Sequence, residues 1–141
     1  VRGDKTMTAL DSLHRRIAHE LFDALEVGDS SKIDELYAAD FGFWFNITGN
    51  TIDRDENLEA LTKGKALHRR RLYNDRLIDT FADGFLARYT CEVHTHDGKK
   101  VALWACLVAT IHDGKIVHMD EYLDSTKFVP RRRIRKPKVS A

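Results

Sequence analysis

Ionisable side chains recur at alternate positions through the last third of this 141-residue chain. Arg88, Thr90, Glu92 and His94 lie two residues apart, and Glu121 stands in the final run, residues 114–124. Successive side chains on a β-strand point to opposite faces, so the first four share a face if their segment is a strand. Two carboxyl groups brought together in an apolar cavity do not ionise independently; one pKa is driven up, leaving an acid and a base near neutral pH. Glu92 and Glu121 are the glutamates of these two segments, and they form such a pair only if their strands turn them to one face. Arg88 is the cation that would orient a ligand or stabilise a developing anion, and His94 is an alternative general base. The bland alternative is an ion pair of Arg88 with Glu92 or Glu121 that only satisfies buried charge.

Seven histidines raise the question of a metal. His94 and His96 fall on one strand face, yet no third ligand follows at a recognised spacing, so no metal site is expected. His14, His19 and His118 read as surface or interface residues and His112 as a turn residue. The run His68-Arg69-Arg70-Arg71 opens a strand, and its alternation reads as a solvated edge in preference to a phosphate site. The sequence has no Gly-rich phosphate loop, no Ser-His-Asp arrangement and no Cys-x-x-Cys motif. No cofactor is expected. Cys91 and Cys106 both sit in alternating strand runs, which points to reduced, buried thiols rather than to a disulfide framework.

The elements that must position these residues are legible in the spacing. Leu10, Leu13, Ile17, Leu21, Ala24 and Leu25 form an apolar helical stripe that Gly28 closes. A short second helix starts at Ser31, with Asp34 three residues on. Phe41, Phe43, Phe45 and Ile47 alternate with Gly42, Trp44 and Asn46, so a strand ends at the Gly49-Asn50 turn. A third helix opens at Asp53 with Glu56 as reciprocal cap, buries Leu58 and Leu61, and stops at Gly64. Three Asp-Gly pairs follow, Asp83-Gly84, Asp97-Gly98 and Asp113-Gly114, and mark tight turns between four long antiparallel strands near 72–81, 85–95, 101–111 and 116–123. Helices laid on a long meander make an α+β domain around one curved sheet.

The chain is long enough for one domain with a sizeable core. We expect an N-terminal extension over residues 1–9, the domain over 10–128 and a basic, solvated tail over 129–141. The net charge of +1 conceals an asymmetry: residues 131–138 carry six of the 23 Lys and Arg, leaving 17 basic against 22 acidic side chains in the remainder. A basic tail on an acidic body gives no continuous basic face, so nucleic-acid binding is not expected. No apolar run approaches the ~20 residues of a membrane span, and the N-terminus lacks the apolar stretch of a signal peptide, so the expected location is cytoplasmic with no membrane partner.

Gly28-Asp29 between two helices, the run Leu36-Tyr37-Ala38-Ala39-Asp40, the turn Gly114-Lys115-Ile116 and the ending Glu121-Tyr122-Leu123-Asp124 resemble the NTF2-like superfamily, in particular its SnoaL-like and ketosteroid-isomerase-like branch. The resemblance covers about residues 10–126. It implies a cone in which three N-terminal helices close over the concave face of a strongly curved antiparallel sheet, and a homodimer through the other face. It does not fix a reaction, since one scaffold in this superfamily hosts several chemistries as well as pure binding modules.

The Glu-Tyr-x-Asp ending is similar to that of the limonene-epoxide-hydrolase-like members, in which the first carboxylate points into the pocket. That likeness turns Glu121 inward, together with Met119, Val117 and Leu123. Matching the other strands back from their turns places Leu103, Ala105 and Leu107 inward, with Arg88, Thr90, Glu92 and His94 beside them and Phe41, Phe43 and Phe45 on the opposite wall. The outward set is then Phe85, Ala87, Tyr89, Cys91 and Val93 with Trp104, Cys106 and Val108, too apolar for a solvent face. The resemblance matches the two pocket carboxylates of the epoxide hydrolases to Glu92 and Glu121 and makes them the candidate catalytic pair, but the bridging arginine has Thr90 in its place, and the residues that position water there correspond to Phe43 and Phe45, so epoxide hydrolysis is not expected. The ketosteroid isomerase positions read Phe45, Leu21 and Leu107, all apolar, which excludes that mechanism.

The expectation is therefore a pocket protein for a small hydrophobic or polycyclic molecule, with cofactor-free acid–base chemistry of isomerase, cyclase or dehydratase type by Glu92, Glu121, Arg88 and His94. Phe43, Phe45, Thr90, Leu103, Met119 and Leu123 would contact the ligand. The alternative is a non-catalytic ligand-binding or dimerisation module.

Overall fold

The computed structural model describes residues 7–128. The expected basic tail and most of the N-terminal extension lie outside the described residues. Helix α1 (Ala9–Val27) begins at a capping box between Thr8 and Asp11 and ends where Gly28 turns left-handed, at φ 70°. Helix α2 (Ser30–Leu36) is capped by Asp29, whose side chain accepts from the Lys32 amide. Strands β1 (Tyr37–Phe45) and β2 (Asn50–Asp53) form a hairpin, and Asp53 then caps α3 (Arg54–Leu67) through a second capping box with Glu56. Helix α3 runs on past Gly64. The meander is β3 (His68–Phe81), β4 (Gly84–Thr95), β5 (Lys100–His112) and β6 (Lys115–Leu123), and a last turn of helix, α4 (Ser125–Phe128), follows.

The six strands make one curved, unclosed sheet in the order β2-β1-β6-β5-β4-β3. All neighbours pair antiparallel except that β6, the last strand, lies parallel beside β1. The three main helices cover the concave face. Phe22, Leu21 and Ala18 of α1 are fully buried there against Phe85, Ala87 and Tyr89 of β4 and Leu107 of β5. The architecture is α+β, as the spacing predicts.

Strand parity on β4 is where the structure departs from expectation. Directly opposed residues of an antiparallel pair share a face, and β4 opposes Cys91 to Leu103, Tyr89 to Ala105 and Ala87 to Leu107. A two-residue turn at Asp97-Gly98 would instead oppose Glu92 to Leu103. The observed loop is one residue longer: the Thr95 amide donates to the Lys99 carbonyl, and Gly98 adopts φ 85°. A slip of one residue moves a whole strand to the other face. Phe85, Ala87, Tyr89, Cys91 and Val93 consequently face the helices, and Arg88, Thr90, Glu92 and His94 face outward.

The first expected turn also moves. Ala82 and Asp83 form it, and Gly84 is already the first residue of β4. A methyl group on Gly84 would stand 1.9 Å from the Ala109 carbonyl oxygen. This glycine is required by the close approach of two strands, not by a turn dihedral.

Candidate functional site

Glu121 lies on the concave face of β6, opposite Leu107 of β5 on one side and Phe45 of β1 on the other. Protein surrounds its carboxyl group, while the residue as a whole keeps some accessible surface. Tyr89 reaches it from β4 across the intervening strand, where the small Ala105 is Tyr89's neighbour, and donates its hydroxyl to Glu121 Oε2 at 2.5 Å. Glu121 Oε1 accepts no hydrogen bond among the described residues.

Aromatic rings hold Tyr89 in that position. Its ring lies 4.8 Å from Phe22 of α1 and 5.5 Å from Tyr73 of β3, and Phe22 and Tyr73 are 5.5 Å apart. Arg76 covers the other side of Phe22 at 5.3 Å and is anchored by ion pairs to Asp23 and Glu26. Arg71, opposite Val93 on the inner face of β3, places its guanidinium against the Tyr73 hydroxyl and within the field of Glu121. On the far wall Tyr37 stacks on Phe41, with ring centroids 3.8 Å apart, and donates its hydroxyl to Asn57 Oδ1 at 2.9 Å.

Burial dominates the electrostatics. It drives the Glu121 pKa above the usual carboxylate range, and the Tyr89 hydrogen bond and the Arg71 charge offset it only in part. Burial likewise holds the Tyr89, Tyr73 and Tyr37 hydroxyls well above an ordinary phenol, so all three keep their protons and can act as donors. The Cys91 thiol, pushed up to about 11 by burial, stays protonated and is no nucleophile. The arrangement offers one carboxyl group whose pKa is raised by burial, with one oxygen unpaired among the described residues and protonated phenols and a guanidinium close by.

Six of the ten residues singled out from sequence share this inner face: Glu121, Phe43, Phe45, Leu103, Met119 and Leu123. Phe43 opposes Met119, and Leu123 opposes Ala105. The other four lie on the convex face. Glu92 pairs there with His94 at 2.8 Å and Lys100 at 2.9 Å, and those partners hold its pKa below the usual range. Arg88 is exposed, opposite Cys106 and Leu77, and Thr90 lies beside Trp104. The pair Glu92–Glu121 is therefore not assembled, because the Asp97-Gly98 loop puts its members on opposite sides of the sheet. Tyr89 and Cys91 likewise leave the expected dimer face for the interior. Cys91 and Cys106 are free thiols on opposite faces.

Sequence reasoning missed Tyr73, Tyr89, Arg71, Tyr37 and Asn57. A usable signal was present: the odd positions from Phe85 to Val93 are all apolar or aromatic and the even positions from Arg88 to His94 all polar. A sheet with one buried face turns its apolar half inward.

The SnoaL-like domain family matches residues 18–119. No curated protein matches the chain in sequence. Among solved structures, a protein of Xanthomonas campestris provisionally named a polyketide cyclase superposes with a TM-score of 0.76 at 16% identity, over 84% of this chain and 95% of its own. IdmH of Streptomyces antibioticus, provisionally named likewise, gives 0.73 at 18% identity, over 80% and 93%. A protein of Catenulispora acidiphila with a ketosteroid isomerase-like fold gives 0.71 at 13% identity, over 79% and 87%. At such identities the likeness is one of fold.

Proposed function

Because the chain belongs to the SnoaL-like domain family, we propose that its cone binds a small hydrophobic or polycyclic ketone-bearing molecule and that Glu121 moves a proton on it without a cofactor. The observation that carries this reading is the free Oε1 of a deeply set carboxyl group whose other oxygen is fixed by Tyr89. In the step envisaged, Glu121 takes a proton from the carbon next to the carbonyl. The electron pair moves to the carbonyl oxygen, which is met by the Tyr73 hydroxyl or Arg71, and the proton returns to carbon or to a leaving oxygen. Phe43, Phe45, Leu103, Met119 and Leu123 would hold the apolar body.

The substrates named for similar proteins fit this reading, since polyketides carry carbons acidified by neighbouring carbonyls. We also place a homodimer interface on the convex face, where Trp104, Tyr122 and Leu77 are exposed and Trp44 packs 5.1 Å from Tyr122. A second reading, a non-catalytic binding module, draws on the mutual satisfaction of the inner polar groups, Tyr89 with Glu121 and Tyr37 with Asn57.

Exchange of the α-protons of 2-tetralone in deuterium oxide separates the two. Acid–base catalysis predicts acceleration by the native chain and a loss on the order of 10²-fold in Glu121→Gln. Equal exchange by both leaves the binding module.

A further inference from the structure

A cavity of about 380 Å³ opens between the end of α1, α2, the end of α3 and the start of β3. Its size falls within the range of small-molecule sites. Leu25, Ile33 and Leu61 supply its apolar wall, and Lys65, Arg69 and Arg71 surround it with positive charge, joined by Arg70. None of these four cations forms an ion pair with a carboxylate among the described residues. The one acid at the cavity, Glu26, is taken by Arg76 and by the Tyr73 amide. Lys65 lies across Gly28, and the Arg71 guanidinium reaches to contact distance of Gly64. His68 Nδ1 is buried in the same region without a hydrogen-bond partner.

The carbonyl ends of α1 and α3 do face this region. A helix end carries only about half a unit of charge, so two ends offset roughly one of the four cations and leave an excess on a body whose remainder is acidic. An unneutralised cluster beside an apolar wall fits an amphiphilic anion. Arg71 joins this cavity to the carboxyl group: it lines the one, and Tyr73, the next residue on the same inner face of β3, lies 5.5 Å from the ring of Tyr89, which donates to Glu121.

We infer that the cavity is an oxyanion subsite: the ligand of Glu121 carries a carboxylate or phosphate group that Lys65, Arg69 and Arg71 hold, while its apolar body runs inward past Arg71. The inference rests on the proposed reading of Glu121 and narrows its substrate class to anionic, apolar molecules. Residues 68–71 do lie on the edge strand with Arg69 and Arg70 exposed, and the inference adds to that solvated edge the oxyanion site that the sequence reading set aside.

The test uses 2-naphthoate, 2-naphthyl phosphate and neutral methyl 2-naphthoate, titrated into the native chain near neutral pH and followed by amide NMR. The two anions are expected to bind about tenfold tighter than the ester, as charge-assisted hydrogen bonds from Arg and Lys require. They should shift the amides of residues 61–71 together with those of Tyr89 and Glu121. In Lys65→Gln/Arg69→Gln, which alters two exposed side chains, the preference should vanish while the ester binds as before, which also shows that the variant is folded. Equal affinity for all three probes, or anion shifts confined to residues 65–71, overturns the inference and leaves the reading of Glu121 standing. Failure of every probe to bind also overturns the inference, while the exchange of 2-tetralone decides the reading of Glu121 separately. The relative strength of naphthoate and naphthyl phosphate tells which oxyanion the subsite fits.

Discussion

Tyr89→Phe removes one hydroxyl from the centre of the cone and leaves the ring. Tyr89 is fully buried, and its contacts with Phe22 and Tyr73 are contacts of the ring, so the packing survives and the change isolates the hydrogen bond to Glu121. The cost depends on the charge of the carboxyl group. A hydrogen bond to a charged group contributes about 1.5–3 kcal/mol and one between neutral groups about 0.5–1.5 kcal/mol. Denaturant unfolding should therefore show a loss at alkaline pH that exceeds the loss at pH below the ordinary carboxylate range by about 1 kcal/mol. The sign follows from the carboxylate: losing its donor disfavours the ionised form, so the Glu121 pKa rises further in the variant. An equal loss at both pH values would refute the reasoning, because Glu121 would then either stay protonated throughout or not be the partner of Tyr89.

Glu121→Gln should stabilise the protein most at high pH. The folded pKa of Glu121 is raised, so its favourable contribution is complete below the unfolded pKa and is lost as pH climbs through the folded one; a melting-temperature difference independent of pH would contradict this. Gly84→Ala should destabilise by more than about 3 kcal/mol, beyond the usual range for a single change, because the added carbon meets strand backbone that cannot step aside. Chemical denaturation reads the result, and a loss under about 1 kcal/mol would show that the strands can separate there. Trp104→Glu should convert a dimer to a monomer in sedimentation at micromolar concentration, since Trp104 is 61% exposed in the single chain. A native chain that already sediments as a clean monomer removes the proposed interface.

The fold was legible because its signals are local. Asp53 starts a helix through the capping box expected of it, Gly28 ends one, and the apolar stripe of α1 leaves little choice of face, whereas α2 is capped by Asp29 rather than from Ser31. The 50–53 strand escaped notice because four mostly exposed residues carry no alternation to read. Face assignment held for β1, for β5 and for Met119, Glu121 and Leu123 of β6, but a register shift ahead of Met119 turns Ile116 inward in place of the expected Val117. The assignment failed on β4 because the number of residues in one hairpin loop cannot be read from an Asp-Gly pair, and a single extra residue inverts the strand. Arg71 was hidden differently. In a run of three arginines nothing in the sequence marks which one turns inward, and only the pairing with Val93 decides it.

Carboxyl-carbon NMR titration of the glutamates tests the central claim most directly, since it reads both faces of the sheet at once. Set deep in the cone, Glu121 should titrate above the ~4.3 of a free glutamate, and Glu92, hydrogen-bonded to His94 and Lys100 on the convex face, below it. The two curves should be independent. Glu121 titrating at or below the ordinary value, or the two glutamates titrating as one coupled pair, would contradict the account.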